Sequence, residues 1–212
     1  MGKLSCYDSP VVQKINKIVD LVILNLLFIL TCIPFVTVGA AQTALYATIR
    51  SRIFHDAPLW STYFRAFLSN LKQASVLWML MAVIGALGIL GMYFYFSLNA
   101  DLFFIVIHGI LLLLWASVVI WIFVLQERFD NRIRHTVYNA FFCAVSQLPR
   151  TVAALIVKSI PLLLFYFFPS VFLYLLPFFL ALWSSLSGLI LLYLFKKPIS
   201  SMEALANNQD GH

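Results

Sequence analysis

Charge is what this sequence has least of. Only 10% of its 212 residues are Asp, Glu, Lys or Arg, against about 25% in ordinary soluble domains. A chain so poor in charge cannot clothe a water-facing surface, which excludes a soluble globular domain. Cysteine is scarcer still. Cys6, Cys32 and Cys143 lie far apart and form no CxxC pair. A disulfide framework and a zinc site are therefore not expected, and the three read as small apolar side chains. Signature loops of catalysis are missing as well: the chain carries no Walker A loop and no GxGxxG, HExxH or GxSxG stretch. His55, His108, His135 and His212 are scattered, with no pair at helical ligand spacing. An enzyme is not expected, and neither is a cofactor or a metal.

What the sequence does have is apolar bulk. It is 63% hydrophobic with 20 Phe, and its mean hydropathy is +0.96. This predicts an all-α integral membrane protein: one membrane domain over residues 1–212, built as a polytopic helical bundle of five to six membrane helices with two amphipathic cytoplasmic surface helices. The net charge of +6 comes from basic residues that flank the apolar runs. Such placement reads anionic headgroups and sets topology, so the expected partner is the lipid bilayer and not nucleic acid.

A polar segment over residues 1–17 precedes the first apolar stretch, with Ser9 as a candidate N-cap and Pro10 at the first helical position. Residues 18–49 form a proline-broken first membrane segment. A signal peptide is not expected there, because Asp20 interrupts the start of the run and the run exceeds the ~7–15 residues of a typical apolar core. Pro34 leaves two readings open: a pair of short helices, or one full span to Val38 followed by a shallow helix. Gly39, Ala40, Ala41, Thr43, Ala44 and Ala47 are small, as close helix packing in lipid requires.

Residues 59–73 are amphipathic, with Trp60, Phe64, Phe67, Leu68 and Leu71 on one face and Arg65 and Lys72 on the other. They read as a helix lying in the headgroup plane. Residues 135–149 read the same way, with Val137, Phe141, Ala144, Val145 and Leu148 sharing a face. Full spans are expected over 75–98, 102–126, 151–168 and 171–195, with a polar tail over 196–212. Ala82, Gly85, Gly88 and Gly91 make a small-residue ridge in the first of these. A weak echo at offset 74 sets Ala66-Phe67 and Gln73 against Ala140-Phe141 and Gln147, as a duplicated bundle would.

Lys and Arg gather in 50–72, in 127–150 and in the tail, while the turns near Asp101 and Pro169 hold none. The positive-inside rule then places both amphipathic segments and both termini in the cytoplasm. Both ends can share a side only if the crossings are even in number, which favours a hairpin at Pro34: six crossings, or four plus a re-entrant pair. Trp60, Arg65, Lys72, Arg132, Arg134, Arg150, Lys196 and Lys197 are the expected membrane-interface residues.

One run of motifs resembles a family. Tyr7-Asp8-Ser9-Pro10, Asp20-Leu21, Leu24-Asn25-Leu26-Leu27, Ile33-Pro34, Thr37-Val38-Gly39-Ala40 and Thr43-Ala44-Leu45-Tyr46 are similar to the YesL-like multi-pass membrane proteins of bacteria. Phe64-Arg65-Ala66-Phe67, Asn70-Leu71-Lys72-Gln73-Ala74, Asn139-Ala140-Phe141 and Leu148-Pro149-Arg150-Thr151 extend the resemblance over nearly the whole chain. It implies a multi-pass protein of the bacterial cell membrane, often encoded beside oligosaccharide ABC importers and glycan-degrading enzymes. The implied partners are permease subunits of such importers. The family's biochemical role is not established, so the resemblance assigns no catalytic residue.

The candidate polar site inside the membrane rests on four residues. Lys158 is an ionisable group within an apolar run, a functional position by default, and either pairs with an anionic substrate group or with Asp20, or snorkels to the headgroups. Asn25 and Gln42 are amides in lipid, which need hydrogen-bond partners. They read as interhelical glue near the Pro34 bend or as the lining of a broken-helix cavity. Ser184, Ser185 and Ser187 have no visible base to activate them and read as packing hydroxyls.

Overall fold

The computed structural model describes residues 10–55, 57–129 and 133–209. Among them there are helices and no strands. In chain order they are α1 (Pro10–Thr31), α2 (Val38–His55), α3 (Leu59–Ser97), α4 (Leu102–Arg128), α5 (Ile133–Ser146), α6 (Leu148–Phe167), α7 (Pro169–Phe178) and α8 (Ser184–Gln209). Ser9, the expected cap of α1, and the motif over Tyr7-Asp8 lie outside the described residues, as do Cys6 and Arg132.

The first apolar stretch is two helices, not one span. α1 stops at Thr31, three residues before Pro34, and a single 3-10 turn over Phe35–Thr37 leads into α2. The turn's open backbone groups are met locally. The Thr37 hydroxyl donates to the Thr31 carbonyl at 2.6 Å, and the Trp78 indole N–H donates to the Phe35 carbonyl at 2.9 Å. The arms fold back on each other, since Asp20 at the middle of α1 pairs with Arg52 near the end of α2 at 2.8 Å.

α3 corrects the expected organisation. A surface helix over 59–73 followed by a separate span over 75–98 is replaced by one unbroken helix of 39 residues. The reason is local: Gln73, Ala74 and Ser75 offer no proline or glycine to end the first helix. Its inward face is not the row of large apolar residues. Leu59, Tyr63, Ala74 and Leu77 are buried, while Trp60, Phe64 and Leu68 point outward. Tyr63 is held by a 2.6 Å hydrogen bond with Thr31. α3 ends with Asn99 at φ 51° and the Ala100 amide donating to the Tyr95 carbonyl. Closing a helix with a left-handed residue and this longer bond is how asparagine commonly satisfies the last carbonyls.

The glycine ridge of α3 faces α4. A Cβ on Gly85 would stand 2.3 Å from the Trp115 ring, and one on Gly88 would stand 2.6 Å from Leu112. The His108 ring nitrogen Nε2 lies 2.8 Å from the Gly88 carbonyl oxygen.

Beyond α4 the boundaries again move. The break between α5 and α6 falls at Gln147 rather than after Pro149, because Pro149 is accommodated within the first turn of α6. On α5 the buried residues are Thr136, Ala140, Cys143 and Ala144. Of the residues expected to share one apolar face, Phe141, Val145 and Leu148 are exposed and Ala144 is buried.

The last span starts two residues early, at Pro169, and its polar tail continues as helix to Gln209. Phe179–Trp183 between α7 and α8 is wound as a π-helix. Pro177, just before it, removes a ladder donor from the preceding turn, and single-turn π segments are one recognised way to carry such an irregularity.

The core gathers Leu24, Tyr46, Ile49, Leu77, Trp121, Ile122, Leu191 and Phe195 from α1, α2, α3, α4 and α8. Trp121 stacks on Phe195 with ring centres 4.0 Å apart and donates its indole N–H to the Thr151 hydroxyl at 2.9 Å. Outside this core the surface is crowded with exposed Leu, Ile, Val and Phe, as a lipid-facing surface must be.

Candidate functional site

Among the described residues, four helical stretches are long and apolar enough to cross a membrane: Leu59–Ser97, Leu102–Arg128, Leu148–Phe167 and Pro169–Ser200. Polar side chains buried among them determine where any site can be.

Asn25 is fully buried and faces the π segment. Its Nδ2 donates to the Leu180 carbonyl at 2.6 Å, and the Ser185 amide donates to its Oδ1 at 3.2 Å. Leu180 and Ser185 are the two ends of one widened rung. The asparagine amide fits across that rung like an inserted peptide group, so its role is structural.

Asp20 is likewise occupied elsewhere. It pairs with Arg52, not with Lys158, so the pairing considered from sequence does not occur. Lys158 instead donates to the Ser187 hydroxyl of α8 at 3.0 Å, and Ser187 in turn donates to the Ser184 carbonyl at 3.1 Å. Lys158 makes no ion pair among the described residues.

Lys158 and Gln42 meet at a cavity of about 370 Å³ between α2, α3, α4 and α6, whose walls include Tyr46, Trp78, Trp115, Phe123 and Leu155. Two donors on its wall, Gln42 Nε2 and Trp115 Nε1, are buried without a hydrogen-bond partner. Gly188 lets α8 approach here: a Cβ would come within 3.2 Å of the Tyr46 ring. Composition gave no sign of Trp115 or Tyr46 as site residues. Only their place on helices that converge on Lys158 marks them.

The structure therefore joins Lys158 to Gln42 and separates both from Asn25 and Asp20. Among the described residues, no group of three or more His, Cys, Asp or Glu is placed to hold a metal ion.

The interface residues cluster in a second way. Lys72 and Arg134 line one groove of about 1000 Å³ with His135 and Tyr138, between α3 and α5. Arg150 and Lys197 line another with Cys143 and Gln147. Burial raises the Cys143 thiol to about 11. Arg50 at the end of α2 pairs with the buried Glu127 at the end of α4, which also lies 3.5 Å from Arg128. Beside them Gln73 donates to Gln126 at 3.3 Å, and Gln126 donates to Asn70 at 3.4 Å. Trp60, Arg65 and Lys196 are exposed.

Long apolar helices, a lipid-facing exterior and a sparse buried polar cluster define an integral membrane protein. A family model described as "protein of unknown function, DUF624" matches residues 21–92, which covers half of α1, all of α2 and most of α3. No curated protein and no solved structure matches the chain.

Proposed function

We propose that the chain is a YesL-like, multi-pass protein of the bacterial cell membrane, without enzymatic activity, that serves carbohydrate uptake as an accessory to oligosaccharide ABC permease subunits. The genomic company implied by the resemblance supports the link to sugars. The observation that supports an accessory role is the lining of the Lys158 cavity: one cation, one amide, two indoles, the hydroxyls of Tyr46 and Ser159, and no carboxylate. Recognition of a sugar needs several acceptors matched to its hydroxyls, with aromatic platforms beside them. This cavity is too poor in acceptors for a sugar path.

Four helices supply the crossings, and α1 with α2 forms a re-entrant hairpin. From Asp20 to Thr31 the rise is ~17 Å, and from Val38 to Arg52 it is ~21 Å. Both fall short of the ~30 Å hydrocarbon core, and the Asp20–Arg52 pair keeps the two polar ends together. The termini and the cationic residues of α3, α5 and α6 then share the cytoplasmic side.

Two measurements test this reading. Pull-down from native membranes should recover permease subunits, and proteoliposomes holding the chain alone should show no sugar flux. Saturable uptake by the chain alone, or recovery without any permease subunit, would overturn the accessory role. Cysteines placed at Arg65 and Lys197 should label from the same face.

A second reading rests on the outward rows Trp60, Phe64 and Leu68 on α3 and Tyr138, Phe141 and Phe142 on α5. They suit a regulatory membrane protein that binds a partner through its cytoplasmic helices. Alanine at Tyr138 and Phe142 would then abolish partner recovery while leaving the fold intact.

A further inference from the structure

A lysine in a low-dielectric interior needs a counter-charge or a full set of acceptors. Lys158 has one neutral hydroxyl, Ser187. The polar groups on the cavity wall beside it, Gln42, Tyr46, Trp115 and Ser159, are neutral. Gln42 Nε2 and Trp115 Nε1 are both buried and unpartnered, and both residues line the same space. Buried polar groups left without partners are rare in native proteins and call for an explanation. Here three groups with protons to give surround one volume, so the missing component is an acceptor. One cation among neutral donors balances a single negative charge.

The rest of the wall is apolar: Trp78, Phe123, Leu155 and Leu162 are part of it. Leu162 is 70% exposed, so the cavity has a rim on the lipid-facing surface. At about 370 Å³ it sits at the small end of ligand pockets, which run ~300–1,000 Å³. That volume suits a headgroup with part of one chain and not a two-chain lipid.

We propose that this cavity binds a single-chain amphiphile with a monoanionic headgroup, carboxylate or phosphodiester, seated between Lys158, Gln42 and Trp115 with its chain leaving past Leu162. The site is independent of the role in carbohydrate uptake.

Native mass spectrometry of the full chain, stripped of lipid in detergent, tests it with palmitate, hexadecanol, acetate and lysophosphatidylglycerol as probes. Palmitate should bind one per chain. Hexadecanol, with the same chain and no charge, should bind at least tenfold more weakly, as loss of a charge-assisted hydrogen bond implies. Acetate should not bind. Lys158→Met should weaken palmitate about tenfold by the same loss, whereas Arg65→Gln, which removes an exposed cation, should leave it unchanged. Trp115→Phe keeps an aromatic ring, though a smaller one, removes one donor and should weaken binding several-fold. It therefore decides the matter if Lys158→Met does not fold. Displacement of palmitate by lysophosphatidylglycerol would assign the seat to a membrane lipid, and resistance to displacement would assign it to a free carboxylate; either supports the site. Equal binding of hexadecanol, binding of acetate as tight as palmitate, or a folded Lys158→Met or Trp115→Phe variant that binds like the parent would each overturn it.

Discussion

Asn25 and Ser185 stand 160 residues apart in sequence and share one hydrogen bond inside the bundle. With the companion bond to Leu180, a single amide side chain in α1 supports the π segment that separates α7 from α8. The first membrane hairpin and the last span are thus fastened at one buried point.

Asn25→Leu removes both bonds and leaves a donor and an acceptor exposed in an apolar interior. Net losses of about 1–3 kcal/mol are usual for such groups. Thermal unfolding of the detergent-solubilised protein should show a drop of several degrees, since each kcal/mol moves the midpoint by roughly 2–4 °C at this chain length. An unchanged midpoint would mean that the rung closes without the asparagine.

Gly39 and Gly109 are both helical glycines and should respond in opposite ways to alanine. A Cβ on Gly39 would lie 2.3 Å from the Ala74 carbonyl oxygen, which belongs to backbone and cannot swing aside. Gly39→Ala should destabilise by about 1–3 kcal/mol, as overpacking does. On Gly109 the nearest atom is the end of Met92 at 3.8 Å. Gly109→Ala should be neutral or stabilise by up to ~1 kcal/mol through helix propensity. The same thermal assay reads both variants.

The Asp20–Arg52 pair is partly exposed, with side chains 20% and 35% accessible. Its contribution should be small, about 0.5–1 kcal/mol, and sensitive to salt. A double-mutant cycle on Asp20→Asn and Arg52→Gln should return a coupling of that size, shrinking in high salt. The exchanged pair, Asp20→Arg with Arg52→Asp, should recover part of it. A coupling of zero at low salt would refute the hairpin register.

Cys143 should be nearly inert in the folded chain. Burial holds its thiol at about 11, against an ordinary value of 9.0. Only the thiolate reacts, so at pH 8 its share falls by about a hundredfold relative to the unfolded chain. In a Cys6→Ser, Cys32→Ser background, maleimide labelling should be very slow at pH 8 and speed up as pH approaches 11. Rapid labelling at pH 8 would contradict the packed face of α5.

How far the sequence carries a reader depends on the kind of signal. Lipid as the solvent follows from the near-absence of charge, because no arrangement of so few ionisable groups could cover a water-facing exterior. The Pro34 break, the Asn99 turn and the glycine ridge were also readable, since each depends on a residue whose backbone or size leaves little choice. Which side of each amphipathic helix packs on the bundle was not readable. On α3 the packed side is chosen by small and hydrogen-bonding residues such as Tyr63 and Ala74, while Trp60 and Leu68 face outward. Hydropathy ranks large apolar side chains first, but in a membrane the large apolar residues are free to face the solvent.

The candidate site shows the same limit. Lys158, Asn25, Gln42 and Asp20 were each conspicuous as polar residues in apolar runs. Which of them stand together was not readable, because that depends on how α2, α6 and α8 converge, and no local pattern encodes it. Ser187 and Trp115 were visible in the chain only as a packing hydroxyl and one more aromatic.

The unbroken α3 has a mechanical consequence. Its 39 residues rise ~58 Å, almost twice the thickness of a hydrocarbon core. A rod with no joint cannot absorb motion along its length. Tilting it by ten degrees about the Gly85–Trp115 crossing swings Trp60 through roughly 6–7 Å at that helical rise, so Trp60 and Arg65 ride on the long arm of a lever whose fulcrum is that crossing.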